Sequence, residues 1–210
     1  MSTNRQTKSG KSNLSGFNRM EKFHPIKTLM FLGLVGSTIL FLSVAFLYFM
    51  SVSRFTLPDS FILPKAFSVS TILLLLSSYS LSGVVNAFKN DSFRNLKLAL
   101  VGTLFLGSLF CIAQIMGWKK LIDSGMFLNS NVGVAYLYII SGIHFIHVVG
   151  GMIYLLILTV GVFIKSTDMV KSLLFFSDDF QLTKLQLVTI YWHFVDALWI
   201  LLFLMFLFSF

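Results

Sequence analysis

The stretch IYWHFVDALWILLF, residues 190–203, is greasy enough to lie in lipid, yet it carries His193 and Asp196 at its centre. Nothing in it alternates polar with apolar as a barrel strand would. A chain in hydrocarbon must satisfy its backbone internally, so the stretch predicts a membrane-spanning helix. Its acid must then face protein, because an ionised Asp at mid-bilayer costs about 3 kcal/mol.

Four more apolar runs lie upstream. The predicted spans are Leu29–Met50, Ala66–Phe88, Leu96–Met116, Val134–Ile164 and Leu185–Phe208. Each has the roughly 20 residues that cross a bilayer. The composition agrees: 56% of the 210 residues are hydrophobic, 24 are Phe, and only 11% are charged, against about 25% in soluble domains. The fold class expected is all-α, a polytopic membrane protein with five transmembrane helices. Residues 24–210 form its five-helix membrane domain. Residues 1–23 are polar, without apolar period, and read as a disordered cytoplasmic tail. They do not read as a signal peptide, because the following apolar run starts late and is too long.

Basic residues set the expected direction. Arg5, Lys8, Lys11, Arg19, Lys22, Lys27, Lys89, Arg94, Lys97, Lys165, Lys171 and Lys184 fall on one side, Arg54, Lys65, Lys119 and Lys120 on the other. The richer side is cytoplasmic by the positive-inside rule, so the N-terminus is expected inside and the C-terminus in the periplasm. The net charge of +8 is spread between apolar runs, and no RNA- or DNA-binding motif accompanies it, so no nucleic-acid partner is expected. The single Cys excludes a disulfide framework and a thiolate metal cluster within this chain.

The candidate site residues lie on the last two spans. Gln186, Thr189, His193 and Asp196 fall on one helical stripe, with His193 three positions before Asp196. In SGIHFIHVVGG, residues 141–151, Ser141, His144, His147 and, further on, Tyr154 share a broad face. The expectation is that these two helices pack polar face to polar face, with His193 as the partner of Asp196. Three readings remain for the histidines. They are interhelical glue, a haem ligand pair drawn from two helices, or a proton relay or substrate site. Around them, Thr103 and Gly107 suggest close packing, and Ser77, Ser78, Ser80 and Ser82 suggest helix contacts or back-bonds. Trp118 is expected to be an interface anchor just outside the third span.

SGIHFIHVVGG followed by YWHFVDALW resembles subunit III of the haem–copper terminal oxidases, on the last two helices and in the right order. LPKAFSVSTILLLLSSYSLS and LGSLFCIAQIMGW, which holds Gln114 and Trp118, resemble its upstream segments. The likeness covers about residues 26–208, and five spans match the short bacterial form. It implies a non-catalytic subunit of a respiratory oxidase in the bacterial inner membrane. Haem and copper would sit in partner subunits, the catalytic subunit I and the copper-bearing subunit II, within what could be a larger supercomplex. It also implies bound phospholipid, a steadying role during turnover, and support of proton entry. From this chain's four His, one Cys and one membrane Asp, no complete redox site can be assembled. Accessory subunits of a quinol oxidase or nitric-oxide reductase are alternatives, as is a stand-alone transporter or membrane cytochrome. Two positions depart from the family's pattern. Thr38, after Ser37, stands where many relatives carry Glu, and Gly117 stands where an acid often precedes the Trp.

Overall fold

The computed structural model describes residues 25–52, 65–130 and 132–209. The tail 1–23 and Arg54 lie outside the described residues. The helices are α1 (Pro25–Val52), α2 (Lys65–Ser82), α3 (Val84–Lys89), α4 (Phe93–Asp123), α5 (Val132–Lys165), α6 (Met169–Ser177) and α7 (Asp179–Ser209). Among them are five stretches long and apolar enough to cross a membrane: Lys27–Ser51, Lys65–Lys89, Phe93–Asp123, Val132–Lys165 and Asp179–Phe208. Only Gly83 separates α2 from α3, so these two make one span.

Contacts fix the directions. Trp118 meets Ser141, and Lys97 meets Phe163, so α4 and α5 are antiparallel. Thr71 meets Trp199 while Ser77 meets Trp192, so α2 and α7 are antiparallel too. α7 lies against α2, α5 and α1, and its Trp192 reaches through to Gly107 of α4. α1 rests on α5 and α7 and buries mainly Phe41 and Tyr48; most of its surface faces outward. Hydrophobic side chains on the outside are the expected arrangement where the solvent is lipid.

The turns are locally specified. Ser92 caps α4 by accepting from the Asn95 N–H at 3.4 Å. At the other end Gly125 takes φ +78°, and Met126 N–H reaches back to Leu121 O at 3.0 Å. That closure needs a left-handed residue, which glycine supplies without strain. Two acids start helices: Asp168 accepts from Val170 N–H at 3.0 Å, Asp178 from Phe180 N–H at 2.9 Å. The Asp178 carboxyl is held below its ordinary value, first by that backbone bond, then by the Gln181 amide, with Lys165 and Lys184 helping.

The spans run longer than the apolar runs predict. α4 extends past Met116 through Trp118, Lys119 and Lys120, so Trp118 lies inside a helix rather than beyond it. α7 starts six residues before Leu185, at Asp179. The short α6, unforeseen in the sequence, packs Phe175 and Phe176 against Phe88 and Phe93, with ring centroids 4.4–5.4 Å apart.

Candidate functional site

Several polar side chains within the spans join helices. α7 carries two indoles on the face it turns to α2. Trp192 Nε1–H donates to Ser77 Oγ at 3.0 Å, and Trp199 Nε1–H donates to Thr71 Oγ1 at 3.0 Å. Between them His193 Nδ1 and Ser78 Oγ share a hydrogen bond of 2.6 Å. A buried indole N–H needs an acceptor, and hydroxyls on the neighbouring helix supply it. Small residues let the indole in: a Cβ on Gly107 would come within 3.2 Å of the Trp192 ring.

Asp196 lies inside this seam and is 4% exposed. Ser78 is also its polar neighbour, but neither carboxyl oxygen makes a hydrogen bond of regular geometry among the described residues. The expected pairing of His193 with Asp196 is therefore replaced by His193 with Ser78. Helical spacing put the two α7 groups on one stripe, but it could not show that α2, not α5, lies opposite.

On α5 the two histidines differ. His147 Nδ1–H donates to Ile143 O at 2.8 Å, since a carbonyl can only accept. Nε2 is then the acceptor for the Ser37 hydroxyl of α1, at 3.2 Å. His144 is fully buried, and its ring nitrogens have no hydrogen-bond partner among the described residues. It stacks on Trp199 with centroids 4.9 Å apart and 29° between planes, and meets Phe110 and Phe41 edge-on at 6.1 and 6.3 Å. α5 and α7 do pack together, but through rings and one phenol. Tyr191 O–H donates to the His147 carbonyl at 2.9 Å over Gly151, whose Cβ would come 2.8 Å from the Tyr191 ring. The expectation of polar face against polar face is corrected accordingly.

The remaining candidates are simpler. Ser141 Oγ accepts from Trp118 Nε1–H at 3.0 Å, so Trp118 ties α4 to α5 and is not the interface anchor expected. Thr189 back-bonds to Leu185 O at 2.8 Å, and Gln186 is half-buried. Tyr154 lines a groove of about 330 Å³ with Met30, Gly150, Gly151, Leu187, Val188 and Tyr191. Of the serines, Ser77 and Ser82 back-bond, while Ser78 and Ser80 reach other helices. Thr103 bonds Ala99 O at 2.8 Å. Sequence reasoning missed Thr71, Ser37 and the two indole donors as seam members. It also missed Gln114, 1% exposed with no partner for its amide among the described residues. Any Trp inside a span, read as a donor in search of a hydroxyl, would have pointed to the serine-rich second span.

No family model matches the chain. Among curated proteins, it is 34% identical over 134 residues to a probable cytochrome c oxidase subunit 3 of Mycobacterium leprae. That match covers 63% of this chain and 61% of the relative, so the chain spans less than two thirds of that relative's length. It is 25% identical over 178 residues to cytochrome c oxidase subunit 3 of Bacillus sp. PS3, covering 83% of this chain and 80% of the other. The chain belongs to the cytochrome c oxidase subunit III family. It is also 26% identical over 135 residues, 64% of each chain, to a cytochrome bo(3) ubiquinol oxidase subunit 3 of Buchnera aphidicola.

The two positions read as departures from the family's pattern are both occupied by contacts within the chain. Thr38 turns its hydroxyl back to Leu34 O at 2.8 Å, while the neighbouring Ser37 holds His147. A Cβ on Gly117 would come 3.0 Å from the Phe67 ring, so Phe67 of α2 fills the space an acid would need.

Proposed function

We propose that the chain is a non-catalytic accessory subunit of a membrane haem–copper terminal oxidase. It would pack beside the catalytic subunit I, near the copper-bearing subunit II, and steady the complex that reduces O2 and moves protons. The observation that carries this reading is the use made of the polar side chains. His147, His193, Ser141, Thr71 and Ser77 all bind across helix pairs. This is the glue reading of the histidines, because interhelical hydrogen bonds and close packing stabilise bundles in lipid. His144 packs against Trp199, Phe110 and Phe41, as a core side chain does. The haem and copper are accordingly assigned to the partner subunits.

The N-terminus is assigned to the cytoplasm and the C-terminus to the periplasm of a bacterial inner membrane, following the basic residues. The groove bounded by Met30, Tyr154 and Tyr191 is assigned to a phospholipid acyl chain, since its walls are mainly apolar. The relatives include cytochrome c and ubiquinol oxidase subunits, so the proposal covers both electron donors.

Extraction of the tagged chain in mild detergent tests the reading. Co-purification of a haem-bearing polypeptide is the expected result. A haem Soret band from the chain purified alone, or ion transport by it in vesicles, would replace the proposal with the stand-alone cytochrome or transporter.

A further inference from the structure

The outward faces of the spans differ in one respect. Three exposed serine hydroxyls, one each in α1, α2 and α4, close on their own helix. Ser43 donates to Ile39 O at 2.7 Å, Ser82 to Tyr79 O at 2.7 Å, and Ser108 to Leu104 O at 2.8 Å. Such back-bonds leave little for a neighbour to satisfy. Tyr79 is different. It is 81% exposed on the outer face of α2, in line with Ser68, Ile72, Leu75, Leu76 and Ser82, and its hydroxyl has no partner among the described residues.

Its depth makes this costly in lipid. Within the span Lys65–Lys89 it lies about 21 Å from the first residue and about 15 Å from the last, at 1.5 Å per residue. Helical side chains lean toward their helix N-terminus, so the phenol points along the longer way out. Tyrosines of membrane helices favour the interface, where water or head groups take the hydroxyl. Acyl chains offer no acceptor. By contrast Ile146, Ile153 and Ile157 of α5, and Phe105, Ile112 and Ile115 of α4, form apolar outward stripes that suit lipid.

We infer that the α2 face centred on Tyr79 is the docking surface for a transmembrane helix of another oxidase subunit, which presents a hydrogen-bond acceptor opposite the phenol. The inference rests on the accessory-subunit reading and deepens it by naming the face. Leu75, Leu76 and Ile72 supply the packing around the polar contact, and the hydroxyl supplies register.

The test is photo-crosslinking within the detergent-solubilised complex, with p-benzoylphenylalanine replacing Tyr79 or, in parallel, the lipid-facing Ile153. An adduct with a different polypeptide from position 79, absent from position 153, is expected. Tyr79→Phe, which keeps the ring, should leave the complex about threefold faster in a detergent wash. If the chain co-purifies with oxidase polypeptides but position 79 labels only lipid or a second copy of itself, the docking face is wrong and the accessory reading survives. If no oxidase polypeptide co-purifies, the accessory reading falls and takes this surface with it.

Discussion

Ser78 of α2 and His193 of α7 share a 2.6 Å hydrogen bond, and the buried Asp196 beside them makes none of regular geometry among the described residues. This reverses the order in which the two α7 residues matter for folding. Ser78→Ala strands the His193 ring nitrogen and should cost about 1 kcal/mol or more. Asp196→Asn strands nothing and should leave stability within about 0.5 kcal/mol of the parent. Thermal melting in detergent decides: a large loss for Asp196→Asn with none for Ser78→Ala would restore Asp196 as the structural member of the pair.

The tightest glycine contact is Gly151 beneath Tyr191, at 2.8 Å for an added Cβ. The ring cannot retreat without losing its bond to the His147 carbonyl. Gly151→Ala should therefore destabilise by about 1–3 kcal/mol despite alanine's better helix propensity. Gly150 has nothing within 4 Å of its added Cβ, so Gly150→Ala should be neutral or slightly stabilising. Equal melting shifts for the two would mean that the α5–α7 contact is looser than this geometry.

The spans were legible because lipid imposes a coarse rule: about 20 apolar residues in a row must be helical. Their ends were less so. Lys119, Lys120 and Lys184 end a hydropathy run but not a helix, so α4 and α7 continue through them. α6 is a nine-residue helix inside what reads as a charged loop. The seam was half legible. Spacing put His193 and Asp196 on one stripe, and the Thr103 and Gly107 pair was expected in a packed interface. Which helix lay opposite is a property of the bundle, set by where Trp192 and Trp199 find hydroxyls, and no single helix carries that information.

Gly117 and Phe67 make a second coupled pair, 3.0 Å apart for an added Cβ. Phe67 is buried and stacks near-parallel on Trp199, with centroids 6.2 Å apart. Gly117→Glu should cost about 2 kcal/mol or more, from the clash and from burying a carboxyl. Phe67→Ala opens the space but removes core packing. In that background the added Glu should cost about 1–2 kcal/mol less, a coupling expected only of residues in contact. A double-mutant cycle measured by melting reads this directly; additive losses would show that Phe67 does not occupy the site of the missing acid.

α1 is the least buried span, and the bond from Ser37 to His147 ties its middle to α5. Phe41 adds an edge contact to the same imidazole at 5.4 Å. His147→Phe keeps a ring against Phe41 but removes the acceptor, so it isolates the hydrogen bond; Ser37→Ala removes the other half. Each should loosen α1 by about 0.6 kcal/mol, the average for hydrogen bonds between membrane helices, and by no more than about 2 kcal/mol. The double variant should be no worse than either single one, because both delete the same contact. Engineered cysteine pairs between α1 and α5, in a Cys111→Ser background, give the readout through their disulfide-formation rate. A faster rate of wrong-register pairing in each variant is expected, and additive effects in the double variant would show that Ser37 and His147 act separately.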